Sequence, residues 1–142
     1  MIIDENDYIK IMETMPVVCV DGLIVNNKKE FLLVKRNNEP LKGQYWLPGG
    51  RLHKNETLEN SIKRKIYEEL RCEVKIIKSL GYFEEFFGET KQNVNSGFHA
   101  ISIVFLLKLL SSDILLDNQS DDWKWFSKLP ERFNTYNLLN KI

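Results

Sequence analysis

Cysteine is scarce: only Cys19 and Cys72 occur in 142 residues, and both sit among apolar neighbours rather than at a metal-ligand spacing. That excludes a disulfide-stapled scaffold and a cysteine zinc site, and it reads as two reduced core thiols in a cytoplasmic protein. No apolar run reaches the ~18 residues of a membrane span, and the polar, acidic N-terminus does not resemble a secretory leader. An excess of one charge is also missing. Twenty basic side chains balance twenty acidic ones, so nothing pulls the chain toward nucleic acid or an anionic membrane, although a local basic cluster can still meet phosphate. There is no internal repeat and no low-complexity linker, and the length suits a single domain, 1–142, with a proper core.

The periodicities then alternate between strand and helix. Residues 4–14 predict a short helix ending before Pro16, with acidic residues in its first turn. Residues 17–25 and 30–36 predict a hairpin across the polar turn at 26–29. Asp21 interrupts the first strand either as an exposed edge residue or as a group facing a pocket. Lys35 and Arg36 close the second strand, as solvated ends or as contacts to a phosphate or leaving group. Strands are expected at 73–80 and 82–87, separated by Gly81, and a polar, Asn-rich loop at 88–97 is long enough to shape a substrate. The apolar run 98–110 reads as a central strand, with His99 either a core histidine or a pocket residue. A polar loop at 117–122, a strand at 123–126 and a helical segment from Leu129-Pro130 complete the chain.

The most informative stretch lies between Leu47 and Cys72. Pro48-Gly49-Gly50 lets backbone carbonyls approach a ligand without Cβ obstruction. A helix is expected from Glu56 to about Leu70, with Asn55 as N-cap and Leu58, Ile62, Ile66 and Leu70 as its apolar stripe. Glu69 projects onto that stripe, where a carboxylate is costly unless a cation meets it, either a metal or Lys65 one turn earlier. Glu68 projects away, close to Arg64, and an ion pair accounts for it as readily as metal binding does. Adjacent carboxylates suit Mg²⁺, with Mn²⁺ as its substitute, because Mg²⁺ takes one or two carboxylates together with substrate phosphates.

Gly50, Glu56, Arg64, Ile66, Glu68, Glu69 and Cys72 fall in the register of the Nudix hydrolase signature: Gly, five residues, Glu, seven residues, then Arg-Glu-hydrophobic-any-Glu-Glu-any-Gly-hydrophobic. Two positions depart from it: Lys65 replaces a Glu that in many members ligates metal or acts as base, and Arg71 replaces the helix-ending Gly. The resemblance implies an α/β protein with the Nudix fold, an α/β/α sandwich around a mixed β-sheet. Much of the chain is also similar to the GDP-mannose mannosyl hydrolase branch. The pieces carrying that likeness are Asp21, Glu30 to Leu33 with Lys35 and Arg36, Gly43 to Arg51, Lys54 with Glu56 to Glu59, Arg64, Glu69, His99 and Gln119 to Asp122. That branch likewise lacks the Glu replaced by Lys65.

What the branch implies is Mg²⁺-dependent attack of water on the anomeric carbon of a nucleotide sugar, GDP-mannose foremost, releasing GDP. Carried over by position, the metal ligands are the Gly49 carbonyl, Glu69 and Gln119; Glu68 joins Glu69 as a metal ligand on the P–O-cleaving alternative, since the branch needs only the second carboxylate of the pair. Arg36, Arg51 and Arg64 neutralise charge on the departing diphosphate, Arg64 from a supporting position, while Asp21, Lys35 and His99 are substrate contacts. The branch carries a general-base His where this chain has Ser120, a far weaker base, so Asp121, His53 and His99 are the replacement candidates. The resemblance also implies a homodimer. Because both Glu68 and Glu69 are present, P–O cleavage of a nucleotide sugar or nucleoside triphosphate stays open, and so does nucleotide-sugar binding with little turnover.

Overall fold

A computed structural model describes residues 2–88, 94, 97–111, 113–116 and 120–142, with Ser120 and Asp121 described by their backbone alone. Seven strands form one sheet: β1 (Val17–Val25), β2 (Phe31–Arg36), β3 (Tyr45–Trp46), β4 (Gly49–Arg51), β5 (Val74–Phe87), β6 (Phe98–Leu109) and β7 (Ser120–Phe126). The order β3-β2-β1-β6-β5 forms the main path, with β4 added to β1 and β7 to β2. β1 runs parallel to β6 and antiparallel to β2 and β4, so the sheet is mixed. Asp21 therefore sits on a central strand, not an edge.

Strand alternation sorts the core into two layers. Val20 and Ile24 of β1 face helix α2 (Leu58–Leu70), where they meet Ile62, Ile66 and Leu70. Leu23 projects to the other side and packs with Trp46, Phe83 and Phe133, the last from the short helix α3 (Glu131–Asn134). Helix α1 (Glu5–Thr14) adds a smaller cluster around Met12 and Val17. Helices on both sides of a mixed sheet make the expected α/β sandwich.

Several local expectations need correction. Thr57, not Asn55, caps α2, its hydroxyl accepting from the Asn60 N–H at 3.1 Å. Asn55 instead adopts a left-handed turn, φ 67°, which leaves Glu56 just outside the helix. Leu58 is exposed, and Ser61 takes the buried place in the first turn, so the apolar stripe begins one turn later than its periodicity suggests. β5 runs through Gly81 as a single strand because register shifts between Ile76 and Lys78 and between Ser79 and Gly81 absorb the irregularity. β7 begins at Ser120, so half of the expected polar loop is strand.

Arg71 ends α2 in the left-handed conformation, φ 56° and ψ 33°, with its N–H donating to the Tyr67 carbonyl at 2.9 Å. This is the helix-ending position that glycine fills without Cβ strain. Arg71→Gly is expected to raise stability by about 0.5–1 kcal/mol in urea denaturation. A loss instead would mean that the Arg71 guanidinium, 5.4 Å from the Tyr67 ring centroid, contributes more than the backbone strain costs.

Candidate active site

The site is built where β4 is laid against β1. Asp21 pairs with Gly49 and Val20 with Gly50. A Cβ on Gly49 would lie 2.2 Å from both the Asp21 Oδ1 and the Val20 carbonyl oxygen, and a Cβ on Gly50 would lie 2.1 Å from the Lys65 Cε. Gly49 is thus demanded by close approach to the β1 backbone, whereas a Cβ at Gly50 would displace the flexible end of the Lys65 side chain.

Arg64 binds the next loop to the helix. Its Nε donates to Glu56 Oε2 at 2.6 Å, its Nη2 to Glu56 Oε1 at 2.9 Å and to the Arg51 carbonyl at 3.1 Å, and its Nη1 to Glu68 Oε1 at 3.1 Å. Glu56 also accepts from the His53 backbone N–H at 3.1 Å. The Arg64 hydrogen bonds hold the Glu56 carboxyl down at about 2. Burial opposes ionisation of Glu68, but Arg64 and Lys65 outweigh it and lower its pKa too. Arg64 is therefore a brace for the loop.

These elements enclose a cavity of about 850 Å³. Its wall brings together Asp21, Arg36, Gly49, Arg51, Arg64 and Glu68 from the expected set, with His53 beside them. Arg36 is steadied by donation from its Nε to the Pro40 carbonyl at 2.7 Å. Burial pushes the Asp21 carboxyl up to about 6, although the Ser102 hydroxyl donates to it and Arg36 lies near. Burial and the neighbouring Arg64 guanidinium lower the His53 pKa.

Other expected residues lie elsewhere. Lys35 is not on the cavity wall: it follows Arg36 in opposite parity along β2 and registers with Tyr45 and Asp122. His99 is likewise absent from the wall, because β6 turns Phe98, Ala100 and Ser102 toward the cavity. Its ring stacks on Phe86 at 4.3 Å and its Nε2 is 2.8 Å from Glu84 Oε2. Glu69 lies one layer behind the wall, buried, with its Oε1 3.8 Å from the Lys65 ammonium. Gln119 and most of the 88–97 loop lie outside the described residues, as does the side chain of Asp121.

Three contributions went unread in the sequence. Tyr8 of α1 lines the cavity beneath the Arg51 guanidinium, which lies 5.5 Å from its ring centroid. Glu85, also on the wall, is gripped by Arg132 at 3.0 and 2.6 Å and by the Tyr136 hydroxyl. Trp46 and Phe83 supply the apolar floor beside it. The signal available for Glu85 was parity: Phe83, Glu85 and Phe87 share one strand face.

Divalent metal fits this donor set. The Gly49-Gly50 pair of β4 leaves its backbone open, and Lys65, whose stem lies over Gly50, links it to the adjacent Glu68 and Glu69 carboxylates, hard oxygen donors of the kind Mg²⁺ combines with substrate phosphates. Among the described residues no cluster of three His, Cys, Asp or Glu side chains forms an all-protein cage.

With this geometry in hand, the comparisons with known proteins agree on the class. A NUDIX domain model matches residues 15–129, and the chain belongs to the Nudix hydrolase family. It is similar to the low-salt glycan biosynthesis protein Agl8 of Haloferax volcanii, 31% identical over 94% of this chain and 85% of that protein. It is 33% identical to an ADP-ribose pyrophosphatase of Methanocaldococcus jannaschii over 78% of this chain but only 62% of that one. A MutT protein from Methanosarcina mazei Go1 has the same fold, with a TM-score of 0.71 at 26% identity over 85% of this chain and 90% of that one.

Because Glu56 titrates lower in the folded than in the unfolded chain, its contribution is complete above the ordinary Glu range and is lost as pH falls from about 4.5 toward 2. Arg64→Met is expected to cost about 1–3 kcal/mol at neutral pH and to flatten the acid limb of stability over that window. Urea denaturation of both proteins across the range checks this, and parallel pH profiles would contradict it.

Proposed function

We propose that this Nudix hydrolase acts on a nucleoside-diphosphate sugar, GDP-mannose in the first instance, with water attacking the anomeric carbon. The C–O bond to the diphosphate breaks, the water oxygen becomes the sugar hydroxyl, and GDP leaves. The observation that carries this reading is Lys65. Where the general signature supplies a carboxylate base aimed at phosphorus, α2 presents an ammonium engaged with Glu68 and Glu69. The similarity to the Haloferax protein, named as a glycan biosynthesis protein, supports a nucleotide sugar as substrate.

Within the cavity, Arg36 and Arg51 are the groups we assign to the diphosphate, while Arg64 holds the Arg51 carbonyl and the loop in place. Asp21, half-buried beside Gly49, is assigned to the sugar. The metal would be held by the Gly49 carbonyl, Glu69 and Glu68, with Gln119 from outside the described residues. Bound Mg²⁺ would neutralise diphosphate charge and make the nucleotide a better leaving group. Among the described candidate bases, His53 lines the cavity and His99 does not, and His53 is our candidate for accepting the water proton. A homodimer is supported by the exposed Tyr82 and Phe86 on β5, which is an edge strand. Cytoplasmic location is supported by the free Cys19 and Cys72 thiols. No helix among the described residues is long and apolar enough to cross a membrane.

A second reading, P–O cleavage, is favoured by Glu68, which stands on the cavity wall next to Glu69, and by the similarity to an ADP-ribose pyrophosphatase. Hydrolysis of GDP-mannose with Mg²⁺ in ¹⁸O-labelled water separates the two. Label in free mannose beside unlabelled GDP is the expected result, whereas label in a phosphate would replace the first reading with the second.

A further inference from the structure

Lys65 lies across the metal-binding end of the cavity rather than out in solvent. Its side chain is only 11% exposed, and its ammonium stands 3.6 Å from Glu68 Oε2 and 3.8 Å from Glu69 Oε1. Its stem fills the space above Gly50 that a Cβ would need. Glu68 is held on its other side by Arg64 at 3.1 Å, while Glu69, 6% exposed, is the more deeply placed carboxylate. Counting Glu56, three carboxylates stand against two cations, so the cluster keeps one net negative charge. A carboxylate at position 65 would leave three.

We propose that the Lys65 ammonium is a built-in cation that occupies the space between Glu68 and Glu69 and limits this end of the cavity to a single divalent ion. It performs two tasks. It neutralises a buried Glu69 before any metal arrives, removing the cost of an isolated buried charge. It also repels a second divalent ion from the gap between the two carboxylates, since like charges a few ångströms apart in a partly desolvated site interact strongly. Gly50 belongs to the same device, because its missing side chain is what lets the lysine stem lie flat. Lys65 thus sets metal stoichiometry and affinity without touching substrate. The inference rests on the metal assignment above and is independent of which bond is cut.

Mn²⁺ titration followed by the electron paramagnetic resonance of the free ion tests it without any turnover. Wild type is expected to bind one equivalent. Lys65→Met, which keeps an unbranched stem over Gly50, is expected to tighten binding about tenfold or more, and Lys65→Glu is expected to add a second equivalent. Gly50→Ala, which pushes the lysine stem aside while preserving every charge, is expected to fall between wild type and Lys65→Met. It also serves as the independent variant should Lys65→Glu fail to fold. Without metal, Lys65→Met is expected to melt at a lower temperature than wild type and to regain the difference on adding Mn²⁺. Equal affinity and one equivalent in every folded variant would overturn the proposal alone, and no Mn²⁺ binding by wild type or any variant would overturn the metal assignment with it.

Discussion

The Arg64–Glu56 pair is the contact on which the rest of the site depends. One guanidinium joins the loop after β4, the carbonyl of Arg51 and the carboxylate of Glu68 to a single helical turn. Planar, bidentate geometry makes this a hinge with little play, which a lysine ammonium could not reproduce. Because Glu56 precedes the helix and Arg64 lies within it, the pair also fixes where α2 begins relative to β4. Every cavity group contributed by the loop or the helix inherits its position from that joint.

Around the joint, charge is distributed by depth. Arg36 and Arg51 line the cavity, where a diphosphate can meet them, and Glu68 faces the same space between Arg64 and Lys65. Glu69 is placed deeper, while Asp21 is half-buried, with desolvation pushing its carboxyl up to about 6. Positive groups for an anionic ligand thus share the cavity with the Glu68 carboxylate, Glu69 lies off its wall, and no all-protein cage forms among the described residues. Glu85, neutralised by Arg132 and adjoining Trp46 and Phe83, gives the far wall a mixed apolar and polar character suited to orienting a ligand.

Much of this was legible because the decisive residues are nearly consecutive. Gly49, Gly50, Glu56, Arg64, Glu68 and Glu69 fall within one loop and one helix, and helical projection alone placed Glu69 inward and Glu68 beside Arg64. What failed was parity on the strands. Alternation says that neighbours point to opposite sides but not which side is the cavity, so Lys35 was grouped with Arg36, and His99 with a pocket that its neighbours Phe98 and Ala100 line instead. Contacts closed by the fold were not readable either: Tyr8 with Arg51, and Glu85 with Arg132, join segments far apart in sequence. The helix start was misplaced because Asn55 and Thr57 are both good caps, and the left-handed turn at Asn55 decides between them.

On the proposed reading, one cavity, braced by Arg64, receives the diphosphate. A crystal structure of the protein with Mg²⁺ and GDP tests it most directly. The diphosphate is expected against Arg36 and Arg51, with one metal ion bridging it to the Gly49 carbonyl and the Glu68–Glu69 pair, and with the Arg64–Glu56 contact unchanged. GDP bound outside this cavity, or its phosphates turned toward Glu85 with Arg36 and Arg51 left in solvent, would contradict the account.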